Sequence, residues 1–411
     1  MKVEILSRKL IKPATPTPPH LRSLKASSID QLQPPIHGAF ILYYHANGDE
    51  NGERSKRLEQ SLSEILTLFY PIVGRYIKDM QMFDCNDEGR GGPGQGRGPA
   101  LDEGVEYMEA KVSGQLAQLV KGEVEVEVLN HLVPYAMPLT STTPLAFVQV
   151  NMFECGGLAI AWLISHYIVD GIAACTFLNA WTNACRASGI NNEVVRPRFD
   201  LASFFPPREN IPAVKPKIHG AIIITRRFVF NGAAISSLKA IACDSALTKR
   251  QLSRVVVVTA CMWKALIAVA KVRHGHLRAS ILFHSLSLHG KTALPIPNNS
   301  FGNLYMVANA RFGGDSENKM ELHELVASLD NSIRNTLADC RKQQNGDDLA
   351  SMMFNSFREP IWVSGTPKPV EMVCLNDTKD GDGIEAWVSL DEKDMLLFQN
   401  HPEVKAFTSQ I

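Results

Sequence analysis

Hydrophobic and polar positions along the first half of the chain alternate between a strand-like and a helix-like period. Period-two patterns predict strands at 2–8, 36–44, 104–112 and 146–153. The apolar positions of 55–69 recur at the spacing of one helical face. A continuous apolar run at 159–165 predicts a strand buried on both faces, and 170–187 then follows a helical pattern.

The second half shows the same mixture of patterns. It predicts a strand at 221–230, two helices of which 253–272 is the longer, strands at 280–288 and 303–311, a polar helix at 319–343, and strands near 369–375 and 383–390. Helices and strands alternate throughout without a short internal repeat, so the predicted class is α/β.

A length of 411 residues predicts two domains rather than one core. Residues 190–220 are rich in Pro, Asn and Arg and have no sustained period, which is typical of a linker. The predicted organisation is therefore a domain at 1–190, a crossover linker at 191–220 and a second domain at 221–411.

Charge and cysteine usage narrow the functional classes. The 42 Lys and Arg residues balance 42 Asp and Glu residues, so no global basic field attracts nucleic acid, although a local patch for a phosphorylated ligand stays possible. The 8 cysteines lack CxxC pairs and zinc spacing, which favours free thiols in a reducing compartment. No secretory signal and no apolar run near the ~20 residues of a membrane span are apparent. We expect a cytoplasmic monomer without a membrane partner.

A Gly-rich segment at 90–101, "RGGPGQGRGPAL", differs from the rest of the chain. It lacks the Gly-Lys-Ser/Thr ending of a phosphate-binding loop, and no helical pattern follows it. Its composition predicts a surface insertion rather than a nucleotide site.

The candidate chemistry centres on "SHYIVDG", in which His166 follows the apolar strand and Asp170 and Gly171 come four and five residues later. Histidine titrates near neutrality and is the usual base for a hydroxyl nucleophile. Asp170 could orient the imidazole or brace the turn. Gly171 could supply unusual torsions or close packing, and it is also a candidate for contact with substrate or CoA. The spacing alone equally suits a structural histidine, and no second ligand at metal spacing lies nearby.

Other motifs in a fixed order accompany this one. They are "KPATPTP" at 12–18, "FYPIVGR" at 69–75, "DCNDEG" at 84–89, "FDLASFFPP" at 199–207, "SRVVVVTACMWKAL" at 253–266, "SFGN" at 300–303 and "GIEAWVSL" at 383–390. With them the chain resembles the plant acyl-CoA acyltransferase superfamily called BAHD over nearly its whole length. Within it, the similarity is greatest to the vinorine synthase and deacetylvindoline acetyltransferase group.

This resemblance implies two chloramphenicol-acetyltransferase-like domains, each a mixed sheet flanked by helices, with a channel between them. It implies that His166 removes the acceptor proton, that the oxygen attacks the thioester of acyl-CoA directly, and that Asp170 is structural. The expected reaction transfers an acetyl group from acetyl-CoA, a co-substrate rather than a bound cofactor, to a hydroxyl of a plant specialised metabolite, an alkaloid being the expected acceptor.

The chain departs from the family at the partner of the motif's aspartate. An Arg of an Asn-Leu-Arg triplet is replaced by His289 in Ser287-Leu288-His289. Imidazole lacks the bidentate fork of guanidinium, so we expect a weaker, pH-sensitive brace between Asp170 and His289 or Lys291. The alternative is that His289 is an exposed loop residue.

A second departure is the absence of the family's Asp-Phe-Gly-Trp-Gly stretch before "REPIWVSG" at 358–365. A deletion between 357 and 358, together with the insertion at 90–103, indicates either divergence or an imperfect gene model. It leaves open a second function, that of a catalytically impaired or binding-only relative.

Each remaining candidate has a structural interpretation as well as a functional one. Ser300 and Asn303 could contact CoA or the acyl carbonyl, or form a turn with an Asn cap. Arg254, at a predicted helix start, could meet CoA phosphates or be solvated. Thr259, a further CoA candidate, lies in an apolar helical pattern typical of core.

Overall fold

The computed structural model describes residues 1–46, 51–86, 104–120, 126–134, 140–187, 189–190, 194–209, 211, 223–243, 251–314, 320–356 and 372–410. The chain divides into two compact units. The first unit comprises Met1–Pro216, Thr292–Tyr305 and Gln343–Phe354, and the second comprises Lys217–Lys291, Met306–Lys342 and Asn355–Ile411. Two segments from the second half of the sequence therefore belong to the first unit, an exchange that the division at 190 and 220 did not anticipate.

Several predicted features lie outside the described residues. They are the Gly-rich segment at 90–103, much of the linker at 191–220, the junction at 357 and 358, and the motif at 358–365.

The regular elements follow one another as an α/β sequence, as predicted. Up to residue 210 they are β1 (Val3–Ile11), β2 (Ser23–Lys25), α1 (Ser28–Gln31), β3 (His37–Tyr44), α2 (Asn51–Leu68), β4 (Arg75–Ile77), β5 (Met82–Asp84), β6 (Val105–Val112), α3 (Leu116–Val120), β7 (Ala146–Phe153), β8 (Leu158–Ser165), α4 (Gly171–Ala187) and α5 (Leu201–Phe204). Short 3₁₀ helices occupy Pro19–Leu21, Tyr70–Val73, Lys78–Met80 and Val126–His131.

The later elements complete both units. They are β9 (Ile223–Phe230), α6 (Gly232–Cys243), α7 (Arg254–His274), β10 (Ser280–Ser287), β11 (Tyr305–Phe312), α8 (Leu322–Lys342), α9 (Gly346–Ser356), β12 (Met372–Asp377), β13 (Ile384–Asp391), α10 (Glu392–Gln399), α11 (Pro402–Phe407) and β14 (Ser409–Gln410). The predicted elements agree with the observed ones to within a few residues, whereas α9, α10 and short elements such as α1 were not predicted.

The first unit is built on a five-stranded mixed sheet in the order β1-β6-β7-β8-β3. The pair β6–β7 is parallel, and the other pairs are antiparallel. Every residue of β8 is buried, as its continuous apolar run predicted. Hydrogen bonds from Ser165 N to Leu145 O (2.7 Å) and from His166 N to Ile36 O (2.9 Å) hold the chain as it leaves the sheet.

Aromatic rings of β8 and α4 join the sheet to its helices. Trp162 of β8 stacks on Phe177 of α4 with a 4.5 Å centroid separation. The Nε1 of Trp181 donates to Ser61 Oγ on α2 at 3.1 Å, so this buried indole is not left without an acceptor. Full burial of each large apolar side chain contributes ~1.5–3 kcal/mol, and these contacts fix where α4 begins beside the end of β8.

The second unit has a four-stranded antiparallel sheet, β12-β13-β9-β14, and the two-stranded sheet β10–β11. Its core surrounds α7, which begins with Ser253 Oγ accepting from Val256 N at 3.2 Å and ends at Gly275, where φ is 79°. By length and composition this helix alone, among the described residues, could cross a membrane, and 56% of its apolar window is buried within the protein. This corrects the expectation that no apolar run approaches that length, and the burial is that of a core helix.

Candidate active site

His166 lies immediately after β8, in the turn that leads to α4. Its side chain is half-buried, and its Nδ1 lies 3.1 Å from Oδ1 of Asn303. The turn brings the imidazole to the end of the sheet because β8 stops at Ser165, where its pairing with β3 also ends. A histidine at a strand end is thus held by the fold rather than by a flexible loop.

Asp170 braces the turn through backbone amides. Its Oδ1 accepts from Ala173 N at 2.8 Å, and its Oδ2 accepts from Leu304 N at 3.0 Å. The first bond caps the start of α4, and the second ties that start to the segment after Asn303. A backbone N–H does not titrate near neutrality, so the donors of both bonds keep their protons in that range.

The predicted partners of Asp170 belong to the second unit. There, His289 is half-buried, and its Nδ1 lies 3.2 Å from Ser287 Oγ, which corrects the alternative of a merely exposed loop residue. The pairing of Asp170 with His289 or Lys291 stays a prediction.

Asn303 has no solvent-exposed surface. Its Nδ2 donates to Asp30 Oδ1 at 2.9 Å and to the backbone carbonyl of His166 at 2.8 Å. Because a carboxamide nitrogen has two hydrogens, both are used within the protein. The CoA contact considered for Asn303 stays a prediction, but the bonds that the structure shows lead to His166.

Asp30 was missed in the sequence. It lies in α1, where Ser27 and Asp30 form a capping box: Ser27 Oγ accepts from Asp30 N at 3.0 Å, and Asp30 Oδ2 accepts from Ser27 N at 2.9 Å. The pattern Ser-x-x-Asp is a known helix-start signal and could have located α1. It could not have shown that the same carboxylate reaches Asn303.

The electrostatic surroundings favour a neutral imidazole. Burial lowers the pKa of His166 below its usual value, and this effect outweighs the hydrogen bond to its own backbone carbonyl, the charge of Asp170 and the hydrogen bond to Asn303, which all raise it. Burial raises the pKa of Asp30, although its hydrogen bonds to Asn303 and Ser27 oppose that shift. At neutral pH the imidazole is therefore ready to accept a proton.

The hydrogen bonds also select the tautomer of His166. Asn303 Oδ1 can only accept, so the Nδ1 facing it carries the proton and donates. The Nε2 then keeps its lone pair. An imidazole with Nδ1 engaged and Nε2 free has the form that a general base requires.

Two glycines in this region differ in what a side chain would meet. A Cβ at Gly171 would meet no atom within 4 Å, and Gly171 is not among the glycines with positive φ. Both backbone roles expected of it are corrected, and its contact with substrate or CoA stays a prediction. Gly302 has a φ of 137°, and a Cβ there would lie 2.8 Å from Leu201 Cδ1. The torsional freedom and close packing expected at Gly171 are instead needed at Gly302.

Ser300 lies in the turn before Gly302 and is buried. Its Oγ donates to Asp200 Oδ1 at 2.7 Å, and Asp200 also pairs with Arg198 at 2.8 Å. These contacts give Ser300 a role in shaping the turn, and a contact with CoA stays a prediction.

The other candidates belong to the second unit. Arg254 pairs with Asp377 Oδ1 at 3.0 Å and donates to the carbonyl of Gly381, so it is not simply solvated. Thr259 is buried on α7, and its Oγ1 has no hydrogen-bond partner among the described residues. Their contacts with CoA stay predictions.

A cavity of about 450 Å³ opens elsewhere in the first unit. Its apolar wall includes Leu158 and Trp181, and Arg54, Arg57 and Arg186 also line it. Leu158 and Ile160 of β8 line the cavity, whereas His166 follows the end of that strand, so about 16 Å of strand separates the nearer lining residue from Ser165. The cavity is therefore separate from the candidate active site.

Comparison with known proteins decides the family. The model of the Transferase family matches residues 1–359. The chain belongs to the Transferase family, the BAHD acyltransferases. It is an acyl-CoA-dependent O-acyltransferase, and its fold class is the two-domain α/β fold of the family.

Individual BAHD proteins are similar over nearly the full length. An acetyl-CoA-benzylalcohol acetyltransferase of Clarkia breweri is 33% identical, with 100% of each chain covered. Vinorine synthase of Rauvolfia serpentina is 33% identical, with 96% of each chain covered. The crystal structure of vinorine synthase matches with a TM-score of 0.80 at 29% identity, covering 99% of each chain. These similarities confirm the resemblance that the ordered motifs indicated.

Proposed function

We propose that this BAHD acyltransferase transfers an acetyl group from acetyl-CoA to a hydroxyl of a plant specialised metabolite, with His166 as the general base. The observation that carries the proposal is the hydrogen bond between His166 Nδ1 and Asn303 Oδ1. It leaves Nε2 as the basic nitrogen of a neutral imidazole at the end of β8. The names of the similar acetyltransferases support acetyl-CoA as the donor.

The proposed reaction proceeds by direct transfer. His166 Nε2 takes the proton of the acceptor hydroxyl while the acceptor oxygen attacks the thioester carbonyl carbon. The tetrahedral intermediate then collapses, the carbon–sulfur bond breaks, and the proton on Nε2 passes to the thiolate of CoA. The products are the acetate ester and free CoA, and the imidazole returns to its starting form.

Asp170 takes part as a support. Its two backbone hydrogen bonds join the start of α4 to the segment carrying Asn303. It therefore keeps His166 and Asn303 in register without contacting the substrate, as the family resemblance implied.

Two classes of acceptor alcohol are expected for this enzyme. The family resemblance implied an alkaloid alcohol, and similarity to an acetyl-CoA-benzylalcohol acetyltransferase supports benzyl alcohol. The alkaloid acceptor is the one proposed, and benzyl alcohol is the matched comparison.

A cytoplasmic location and a monomeric state of the protein also stay proposals.

The test is turnover of acetyl-CoA with a panel of alkaloid alcohols and benzyl alcohol. Turnover is measured as release of the free thiol of CoA, and the ester product is identified by its mass. His166→Ala is expected to lower kcat by roughly 10²–10⁴-fold, the usual contribution of a general base. His20→Ala, at an exposed histidine, is the control and should retain full activity.

The binding-only alternative predicts a different result. In that case acetyl-CoA binds in calorimetry, but wild type and His166→Ala are equally silent with every acceptor. Equal turnover by wild type and His166→Ala would also remove His166 from the role of base.

A further inference from the structure

Three side chains far apart in the sequence form one chain of hydrogen bonds ending at the imidazole: Asp30, Asn303 and His166. We propose that Asp30 is a positioning residue for the reaction, which holds the Asn303 amide so that His166 presents Nε2 as the base. This proposal rests on the proposed function and assigns Asp30 a role that acts through Asn303 rather than on the substrate.

The first step of the argument is the orientation of the Asn303 amide. Two acceptors, Asp30 Oδ1 and the carbonyl of His166, lie within 2.9 Å of one end of the amide. Only an NH₂ group can satisfy both. The opposite end must then be the oxygen, and it faces His166 Nδ1.

The second step is that both carboxyl oxygens of Asp30 act as acceptors. Its Oδ1 receives Asn303 N at 3.2 Å as well as Asn303 Nδ2, and its Oδ2 receives Ser27 N and Ser27 Oγ at 2.9 and 2.7 Å. Four donors converging on one buried carboxylate match the hydrogen-bonding capacity of its ionised form. An amide of Asn303 turned the other way would place its oxygen against this carboxylate.

The third step is that the carboxylate itself is fixed. Ser27 caps α1 and holds Oδ2, while Gly302, with its φ of 137°, directs the backbone of Asn303 toward Oδ1. Asp30 is 6% exposed and Asn303 is fully buried, so water cannot readily replace either bond. In such surroundings a charged hydrogen bond is stronger than at the surface.

Asp30→Asn is the direct test, because it keeps the shape but offers only one accepting oxygen for four donors. The NH₂ group of the new asparagine must face a donor in either orientation. It faces Ser27 N in one orientation, and it faces both Asn303 N and Asn303 Nδ2 in the other. We expect kcat to fall about tenfold while KM for acetyl-CoA and for the acceptor stays within about twofold, since orientation rather than binding is lost. Asp30→Ser, which removes the carboxylate with a smaller side chain, is the second variant with the same expectation if the first does not fold.

A double-mutant cycle separates positioning from general structural damage. Asn303→Ala should lower kcat at least as much as Asp30→Asn. If Asp30 acts through Asn303, then adding Asp30→Asn to Asn303→Ala lowers kcat by less than twofold further. Multiplication of the two losses would overturn the proposal.

Gln31→Ala provides a matched control on the same helix. The side chain of Gln31 donates to the backbone carbonyl of Arg208 at 3.2 Å and accepts from its backbone N–H at 2.9 Å. It takes no part in the hydrogen bonds that link Asp30 and Asn303 to His166. The control should lower the melting temperature and leave kcat unchanged. A kcat loss in Gln31→Ala equal to that in Asp30→Asn would contradict a specific role for Asp30.

The tautomer can be measured without any turnover. Long-range ¹H–¹⁵N spectra of histidine-labelled protein, with the His166 signals assigned by their absence in His166→Ala, should show a protonated Nδ1 and an unprotonated Nε2. Asp30→Asn should raise the fraction protonated at Nε2. A wild-type His166 protonated at Nε2, or an Asp30→Asn spectrum unchanged from wild type, would overturn the proposal whether or not an acceptor has been found, so its failure is distinguishable from failure of the proposed function.

Discussion

The two units bury different kinds of side chain. All four buried charged residues among the described ones, Asp30, Arg54, Arg75 and Asp170, belong to the first unit. In the second unit the buried polar side chains of the described residues are Thr259 and Ser389. Buried charge is expensive in free energy unless it is fully hydrogen-bonded, so its confinement to one unit needs a reason.

The partners of these charges supply that reason. Arg54 and Arg75 donate to backbone carbonyls, such as those of Gly156 and Val73. Asp30 accepts from Asn303, the hydrogen-bond partner of His166, and Asp170 accepts from the backbone of Ala173 and Leu304. In the second unit, ion pairs such as Arg273–Asp394 (2.6 Å) are partly exposed. Buried charge therefore marks the backbone that must be held in one arrangement, and surface pairs do not.

Removal of a buried carboxylate from the first unit and of an exposed one from the second should produce the largest difference in stability, and Asp170 is the buried residue tested. Asp170→Ala leaves the N–H groups of Ala173 and Leu304 without their acceptor, and we expect the free energy of unfolding to fall by about 2–4 kcal/mol. Chemical denaturation with matched kcat measurements tests this, and kcat should fall too because His166 loses its support. The control, Asp377→Ala, removes an exposed partner of Arg254 in the second unit and should cost no more than about 1 kcal/mol. Equal losses in the two variants would erase the distinction between the units.

The two glycines near His166 offer a sharper comparison within the first unit. Gly302→Ala combines a positive φ with a close contact to Leu201, so we expect a loss of about 1–3 kcal/mol. Gly171→Ala has open space above it and should change stability by at most about 0.5 kcal/mol. Thermal unfolding of both variants measures the difference. Similar melting temperatures for the two would show that the turn at Gly302 relaxes.

The pH dependence of activity tests the electrostatics of the site. Burial lowers the pKa of His166 from its usual 6.5, so the neutral base persists below pH 6.5. We expect kcat/KM to stay level on acidification through pH 6.5 and then to fall about tenfold per pH unit below the lowered pKa. Melting temperatures over the same range distinguish protonation of the base from unfolding. A decline that begins above pH 6.5 would contradict the lowered pKa.

The smallest effect is expected at the start of α7. Arg254→Ala removes an exposed ion pair, and stability should change by about 0–1 kcal/mol. If Arg254 instead meets the CoA phosphates, KM for acetyl-CoA rises while kcat and the melting temperature stay unchanged. The variant therefore decides between a surface pair and a ligand contact. Lys393→Ala, at an exposed cation of the same unit, is the control.

The periodicity of the chain predicted the elements that place His166. The continuous apolar run became β8 with every residue buried, and the helical pattern after Asp170 became α4. Short elements were missed, because α1 has only four residues and gives no periodic signal. The ordered motifs also predicted the BAHD family, which the comparisons confirmed.

The sequence alone therefore determined the class of fold, the family and the histidine at the end of a buried strand, because these depend on patterns among neighbouring residues. Only the tertiary structure showed that Asp30 meets Asn303, 273 positions away, and that Asn303 selects the tautomer of His166. It also showed that 292–305 belongs to the first unit. Hydrogen bonds between distant residues depend on packing of the whole chain, and no local pattern specifies which buried donor will meet which acceptor.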